Sequence, residues 1–214
     1  MMTIIIQSAR EMKVRAVMPT STPSTKKERT RERIVQVAAR ALRRLGFDGV
    51  GVAEVMQEAG LTHGGFYAHF PSREALLVEA LDAAAAESLA ALEGSARGIE
   101  GKGGRLGAFI DSYLSDEHAE HPEAGCTLAA LGSETFRQSS GVRAVATRRL
   151  EQFLKLLEAQ LPGTAAERRE RAQTLVATLV GSLLLSRLVT DAALGSSFRK
   201  AARRRLRSAL ANAD

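Results

Sequence analysis

The 214-residue chain has no tryptophan, a single cysteine and only 4% aromatic residues. One cysteine excludes an internal disulfide framework and suits a reducing, cytoplasmic setting. With so few rings the core must rest on Ala, Leu, Val and Ile, and Ala and Leu head the helix formers. Long apolar runs are missing too. The most apolar stretch, Leu175 to Val189, is interrupted by Thr178, Gly181, Ser182, Ser186 and Arg187. It falls short of the roughly 18 unbroken apolar residues of a membrane span. The opening MMTIII lacks the basic region and cleavage site of a signal peptide. Without strand-like alternation or a solenoid-length repeat, the chain reads as all-α and away from membranes. No Ser-His-Asp set or dinucleotide fingerprint is visible, and the GKGG around Lys102 lacks the spacing of a phosphate-binding loop. An enzyme is not expected, nor a cofactor.

What is present is an uneven charge. The net charge is +6. Through Arg73 the chain carries 12 Lys and Arg against 6 Asp and Glu, and from Glu74 onward 18 of each cancel. A basic block joined to a neutral partner is the footprint of a nucleic-acid-binding module, although a solvated basic face would look the same.

Residues 1–25, with their MPTSTPST stretch, read as a flexible arm. Order begins in KKERTRERIVQVAARALRRLGF, where Ile34, Ala38, Ala41, Leu42 and Leu45 follow the spacing of one helix face. Glycines at 46, 49 and 51 stop this helix. The segment VAEVMQEA forms a short second helix ended by Gly60, and Leu61 plugs the corner. Thr62 is placed to cap HGGFYAHF, a third helix with Phe66 and Phe70 on its buried side. Two short helices around a glycine-containing turn form the helix-turn-helix pattern. Gly64 and Gly65 are costly inside a helix, about 1 kcal/mol each against alanine, and would allow close approach to a duplex. His63 is the candidate for a base edge.

The run from Ile34 to Leu77, above all FYAHFPSREALL, resembles the DNA-binding domain of the TetR family. Gly51 departs from the Ser or Thr that commonly caps the second helix there. The resemblance implies that Tyr67 and His69 contact the DNA backbone and that Thr62 and Arg73 bind phosphate. The expected DNA-binding set is therefore Thr62, His63, Gly64, Gly65, Tyr67, His69 and Arg73. The expected architecture is an arm (1–25), a three-helix helix-turn-helix domain (26–72) and a helical-bundle ligand-binding and dimerisation domain (73–214).

In the second domain, GSARGIEGKGGR reads as a loop and LGAFIDSYLSDEHAE as one helix. Further helices follow over CTLAALGSETFRQ, VRAVATRRLEQFLKLLEAQ and AERRERAQTLVATLVGSLLLSRLVTDA, the last ending near Gly195. SFRKAARRRLRSALANA closes the chain. One recognition helix reads few base pairs, so a two-fold pair is expected, a homodimer through the last two helices on a palindromic, double-stranded operator. Leu175, Leu179 and Leu183 serve either that seam or the monomer core. The basic cluster from Arg199 to Arg207 reads as a solvated face. Candidates for a small-molecule pocket are Phe109, Tyr113, Cys126, Leu128, Leu131, Phe136, Phe153 and Leu157, each equally suited to plain core. By resemblance, an effector bound there releases DNA. Cys126 follows Gly125 at a helix start, a setting that activates thiols, so an oxidant- or electrophile-responsive regulator is the alternative. A constitutive DNA binder without effector is another. Glu117, His118, His121 and Cys126 contain metal-ligating atoms, but the expectation is no metal.

Overall fold

The computed structural model describes residues 25–95 and 102–211, and every regular element among them is helical. The expected arm, Thr25 apart, and the centre of the glycine-rich stretch lie outside the described residues.

Helix α1 (Lys26–Leu45) begins at Thr25. Its hydroxyl accepts from the Glu28 N–H while the Glu28 carboxylate accepts from the Thr25 N–H, a reciprocal capping box. It ends at Gly46, whose φ of 75° lies in the left-handed region that glycine enters freely. The buried stripe holds Ile34, Ala38, Ala41 and Leu42 as the spacing predicts, but Leu45 is 53% exposed. The turn at Gly46 redirects the chain, and Phe47 enters the core instead. In α2 (Val52–Glu58), Gly51 stands at the N-cap with no side-chain bond, and the Glu54 carboxylate folds over the space a capping side chain would fill. Gly60, with φ 69°, makes the turn.

The third helix, His63–Ala68, is wound as a tight 3-10 helix rather than an α-helix. The Thr62 hydroxyl makes no capping bond; its carbonyl instead accepts from the Gly65 N–H at 3.0 Å. Phe66 and Phe70 stack with ring centroids 5.6 Å apart, both buried. Ser72 then caps α3 (Arg73–Ser95), its Oγ accepting from the Ala75 N–H at 3.1 Å.

Six α-helices follow, with a 3-10 turn at Pro122–Ala124 after the second: α4 (Lys102–Tyr113), α5 (Asp116–Glu120), α6 (Thr127–Thr135), α7 (Ser140–Glu158), α8 (Ala165–Leu188) and α9 (Ala192–Ala211). The core of α1 and α2 runs past residue 72: it takes in Leu76, Leu77 and Leu81 of α3, Leu131 of α6, and Val142 and Val145 of α7. A second apolar cluster joins α4, α7, α8 and α9.

Three expectations are corrected here. The stretch 106–120 is two helices, because the Ser115 hydroxyl accepts from the His118 N–H and starts α5 afresh. Gly195 does not end α8 but lies buried inside α9, where a Cβ would stand 2.7 Å from the Ser186 carbonyl. Glycine there lets α9 lie close against the end of α8. Within the basic cluster, Arg199 is buried against Asp116, and Arg203 donates to the Leu114 carbonyl at 2.6 Å. Those two cations brace the end of α4 and the start of α5, and are not a solvated face.

Candidate nucleic-acid interface and interior cavity

The third helix divides its residues cleanly. Phe66 and Phe70 point inward, while Thr62, His63, Gly64 and Tyr67 are exposed, Tyr67 by 71%. Tyr67 stands edge-on to Phe66 at 5.2 Å, so the buried ring steadies the exposed one. A Cβ on Gly64 would meet nothing within 4 Å, and on Gly65 the nearest atom is the Met56 methyl at 3.6 Å. Neither has a positive φ. Nothing within the fold therefore requires glycine at 64, and the space beside it is open. His69 is half-buried, its Nδ1 enclosed without a partner and its carbonyl accepting from Arg31.

Arg73 is engaged inward. Its Nε donates to the Val50 carbonyl at 3.0 Å and its Nη2 to that of Phe47. It thus braces the loop between α1 and α2, a role the sequence reading did not assign, and only its remaining N–H groups are left for a phosphate. Other cations of the basic block are also struts: Arg31 pairs with Glu79 beneath the face of Phe70, and buried Arg43 reaches Glu87 and the Ala84 carbonyl. Lys26, Lys27, Arg33 and Arg44 stay exposed.

A cavity of about 300 Å³ opens between α3, α4, α5 and the start of α6, with Ser88, Tyr113, His118, Gly125 and Cys126 among its walls. His118 organises it. Its Nδ1 lies 2.7 Å from the Tyr113 carbonyl, which can only accept, so Nδ1 carries the proton; Nε2 then accepts from the Cys126 N–H at 2.9 Å. Burial, helped by the nearby Arg187 charge, lowers the His118 pKa and keeps the ring neutral, against the raising effect of the Tyr113 carbonyl. The Arg187 guanidinium donates to the His118 carbonyl at 2.5 Å and to that of Ala119 at 3.1 Å. Ser88 ties α3 to the same wall by donating to the Gly125 carbonyl at 2.8 Å. The Tyr113 hydroxyl is fully buried and makes no hydrogen bond, and burial with Cys126 alongside pushes its pKa well above the usual phenol range.

Residues 34–80 match the model of the bacterial regulatory proteins of the tetR family. An uncharacterized HTH-type transcriptional regulator of Mycobacterium tuberculosis is 31% identical over 170 residues, covering 75% of this chain and 86% of that relative. The chain belongs to the TetR family. It is a DNA-binding helix-turn-helix transcriptional regulator, not an enzyme. The regulator LmrA of Bacillus subtilis is 26% identical over 168 residues, which span 73% of this chain and 86% of LmrA. Solved structures share the fold. The reduced form of Escherichia coli NemR has a TM-score of 0.70 at 22% identity, covering 83% of this chain and 94% of that one. A TetR-family regulator from Cytophaga hutchinsonii has a TM-score of 0.77 at 19% identity, covering 90% and 98%.

Of the pocket candidates in this TetR-family chain, Tyr113 and Cys126 line the 300 Å³ cavity. Leu128 and Phe153 meet Cys126 at a void of about 20 Å³, too small for a ligand. Phe109 and Leu157 are buried in the second cluster, and Leu131 belongs to the core of the DNA-binding unit. Phe136 is 64% exposed with Arg137 stacked on its ring at 4.6 Å, because the chain leaves α6 just before it. Apolar character marked these residues, and apolar character is shared by core and pocket alike. The polar wall groups Ser88 and His118, and Arg187 behind the wall, were not singled out as pocket residues, and no local spacing connects them. Among the described residues no cluster of three metal-ligating side chains occurs, and no helix is long and apolar enough to cross a membrane.

Proposed function

We propose that this regulator is a ligand-responsive repressor that binds a palindromic operator as a homodimer and lets go when a small molecule fills the cavity. The observation that carries the reading is α6. Cys126, at its start, walls the cavity, and Glu134, near its end, accepts the Phe47 N–H at 2.9 Å in the loop leading to α2. One short helix thus links the cavity to the frame of the DNA-binding unit, and a ligand that shifts its start moves its end against that unit. Thr62, His63, Gly64, Gly65, Tyr67 and His69 are the proposed DNA contacts, with Arg73 adding one phosphate beyond its bracing role.

Dimerisation through α8 and α9 is supported by what those helices leave uncovered. Leu175, Leu179 and Leu183 are buried within one chain, so they are monomer core. On the other side of α8, Thr174, Thr178, Gly181, Leu185 and Leu188 recur at the four-three spacing of a helix-pairing seam, and Leu188 is 72% exposed. Leu194 of α9 is exposed beside them in sequence.

Selecting bound sequences from random DNA with the purified protein should return an inverted repeat with half-sites about one helical turn apart. Lack of enrichment, or a monomer in sedimentation at the binding concentration, would sink the reading. An operator complex that no small molecule dissociates would instead favour the constitutive binder. Oxidant response through Cys126 is the weaker alternative, since the thiol is 5% exposed and the chain has no second cysteine to pair with.

A further inference from the structure

We propose that the cavity takes a small organic carboxylate, with one carboxylate oxygen accepting the hydrogen bond of the Tyr113 hydroxyl. The proposal rests on the cavity being the effector site. Its starting point is a group without a partner. Tyr113 is wholly buried, forms part of the cavity wall, and its hydroxyl makes no hydrogen bond. Buried hydroxyls in folded proteins are almost always satisfied, so an orphan at a cavity wall asks for an acceptor from the ligand.

The neighbours supply no strong one: the Cys126 sulfur lies beside the hydroxyl, but a thiol is a weak acceptor and it does not meet hydrogen-bond geometry. His118 meets the Tyr113 ring edge-on at 4.8 Å, but both its nitrogens are committed, one to the Tyr113 carbonyl and one to the Cys126 N–H. The Ser115 oxygen caps α5 and the single Ser88 proton is shared between the Gly125 and Ala84 carbonyls; neither hydroxyl bonds that of Tyr113.

Charge then narrows the acceptor to an anion. Arg187 lies against the outer side of the Gly125 wall: a Cβ on Gly125 would stand 3.2 Å from its Nη2. The guanidinium meets two backbone carbonyls, and its Nη1 is buried without a partner. Helix α6 opens at Cys126 with no side-chain cap, so the positive end of its dipole faces the same wall. Glu117 is the opposing charge among the lining residues; it is exposed, where water screens it. The volume, about 300 Å³, is at the lower end of the range for ligand sites, which fits a one-ring or short-chain acid.

Calorimetric titration of the full chain without DNA tests this, using benzoate against benzamide and hexanoate against hexanamide. At least one acid is expected to bind at least tenfold more tightly than its own amide. Tyr113→Phe removes only the hydroxyl and should weaken that acid at least tenfold while keeping the wild-type helical spectrum. Neither acid binding, equal binding of acid and amide, or an unchanged affinity in Tyr113→Phe overturns the proposal. If Tyr113→Phe misfolds, the acid-to-amide ratio of the wild type decides alone. Operator release is followed separately by anisotropy. Acid binding without release keeps the carboxylate site and sinks the effector reading; release by a non-acid while no acid binds does the reverse.

Discussion

Thr62, His63, Gly64 and Tyr67 stand in solvent along one short helix, whereas Tyr113, His118 and Cys126 meet inside a wall shared by α4, α5 and α6. The first group needs only a local frame, two stacked phenylalanines and a glycine turn, to aim it outward. The second depends on Ser88, His118 and Arg187, which tie α3, α4, α5, α8 and the start of α6 together. The contrast fits the partners proposed for the two regions. A duplex is met on a convex surface, so one segment can carry the contacts. A small molecule must be enclosed, so its contacts come from many segments.

The hardest blow to the outward-facing unit should come from within it. Phe66→Ala removes a side chain that is 1% exposed and stacked on Phe70. It should cost about 3–5 kcal/mol, read as a lower denaturation midpoint with the loss of operator binding. A cost near zero would mean the third helix does not lean on that ring.

Gly64→Ala separates binding from stability. Open space around Gly64 leaves the melting temperature unchanged or slightly raised, while operator affinity should fall about tenfold, or roughly 1.4 kcal/mol. Unchanged affinity would show that the open face is not where DNA approaches. Arg73→Ala is less clean, since it also removes the brace on the Val50 and Phe47 carbonyls. A flatter salt dependence counts as phosphate loss only if the variant melts like the wild type.

Glu134→Ala cuts the link between the two regions. Leaving the Phe47 N–H without its acceptor should cost about 1 kcal/mol of stability and reduce effector-driven release more than operator binding itself. Equal loss of both would mean that Glu134 merely holds the loop.

The smallest effect expected is a pH dependence from His118. Its pKa in the fold is held below the ordinary 6.5 by burial. Below 6.5 the unfolded chain therefore binds a proton that the native state refuses. The stability due to neutral His118 is complete above 6.5 and declines as pH falls from there through the lowered folded value. The difference in unfolding free energy between wild type and His118→Gln, followed from pH 7.5 to about 5, should shrink on the acid side. A flat difference would leave His118 without this role.

The amino-acid sequence by itself determined the all-helical class, the helix-turn-helix, its glycine turn and the inward placing of Phe66 and Phe70. All of these depend on residues within about one or two helical turns of each other, where periodicity and backbone preference act directly. Only the tertiary structure decided which charges and apolar groups do what. Arg73 is expected from the sequence on a phosphate and Arg199 and Arg203 on a solvated face, yet each turns back onto backbone carbonyls or a carboxylate from a distant element. Phe136 and Leu131 looked like pocket walls, yet one lies in solvent and the other in the core of the DNA-binding unit. The direction a side chain takes on a helix is set by what packs against it, and for Arg203 that neighbour is 89 residues away. The cavity around Tyr113 belongs to this second kind: Ser88 of α3 and Arg187 of α8 hold its wall at Gly125 and His118.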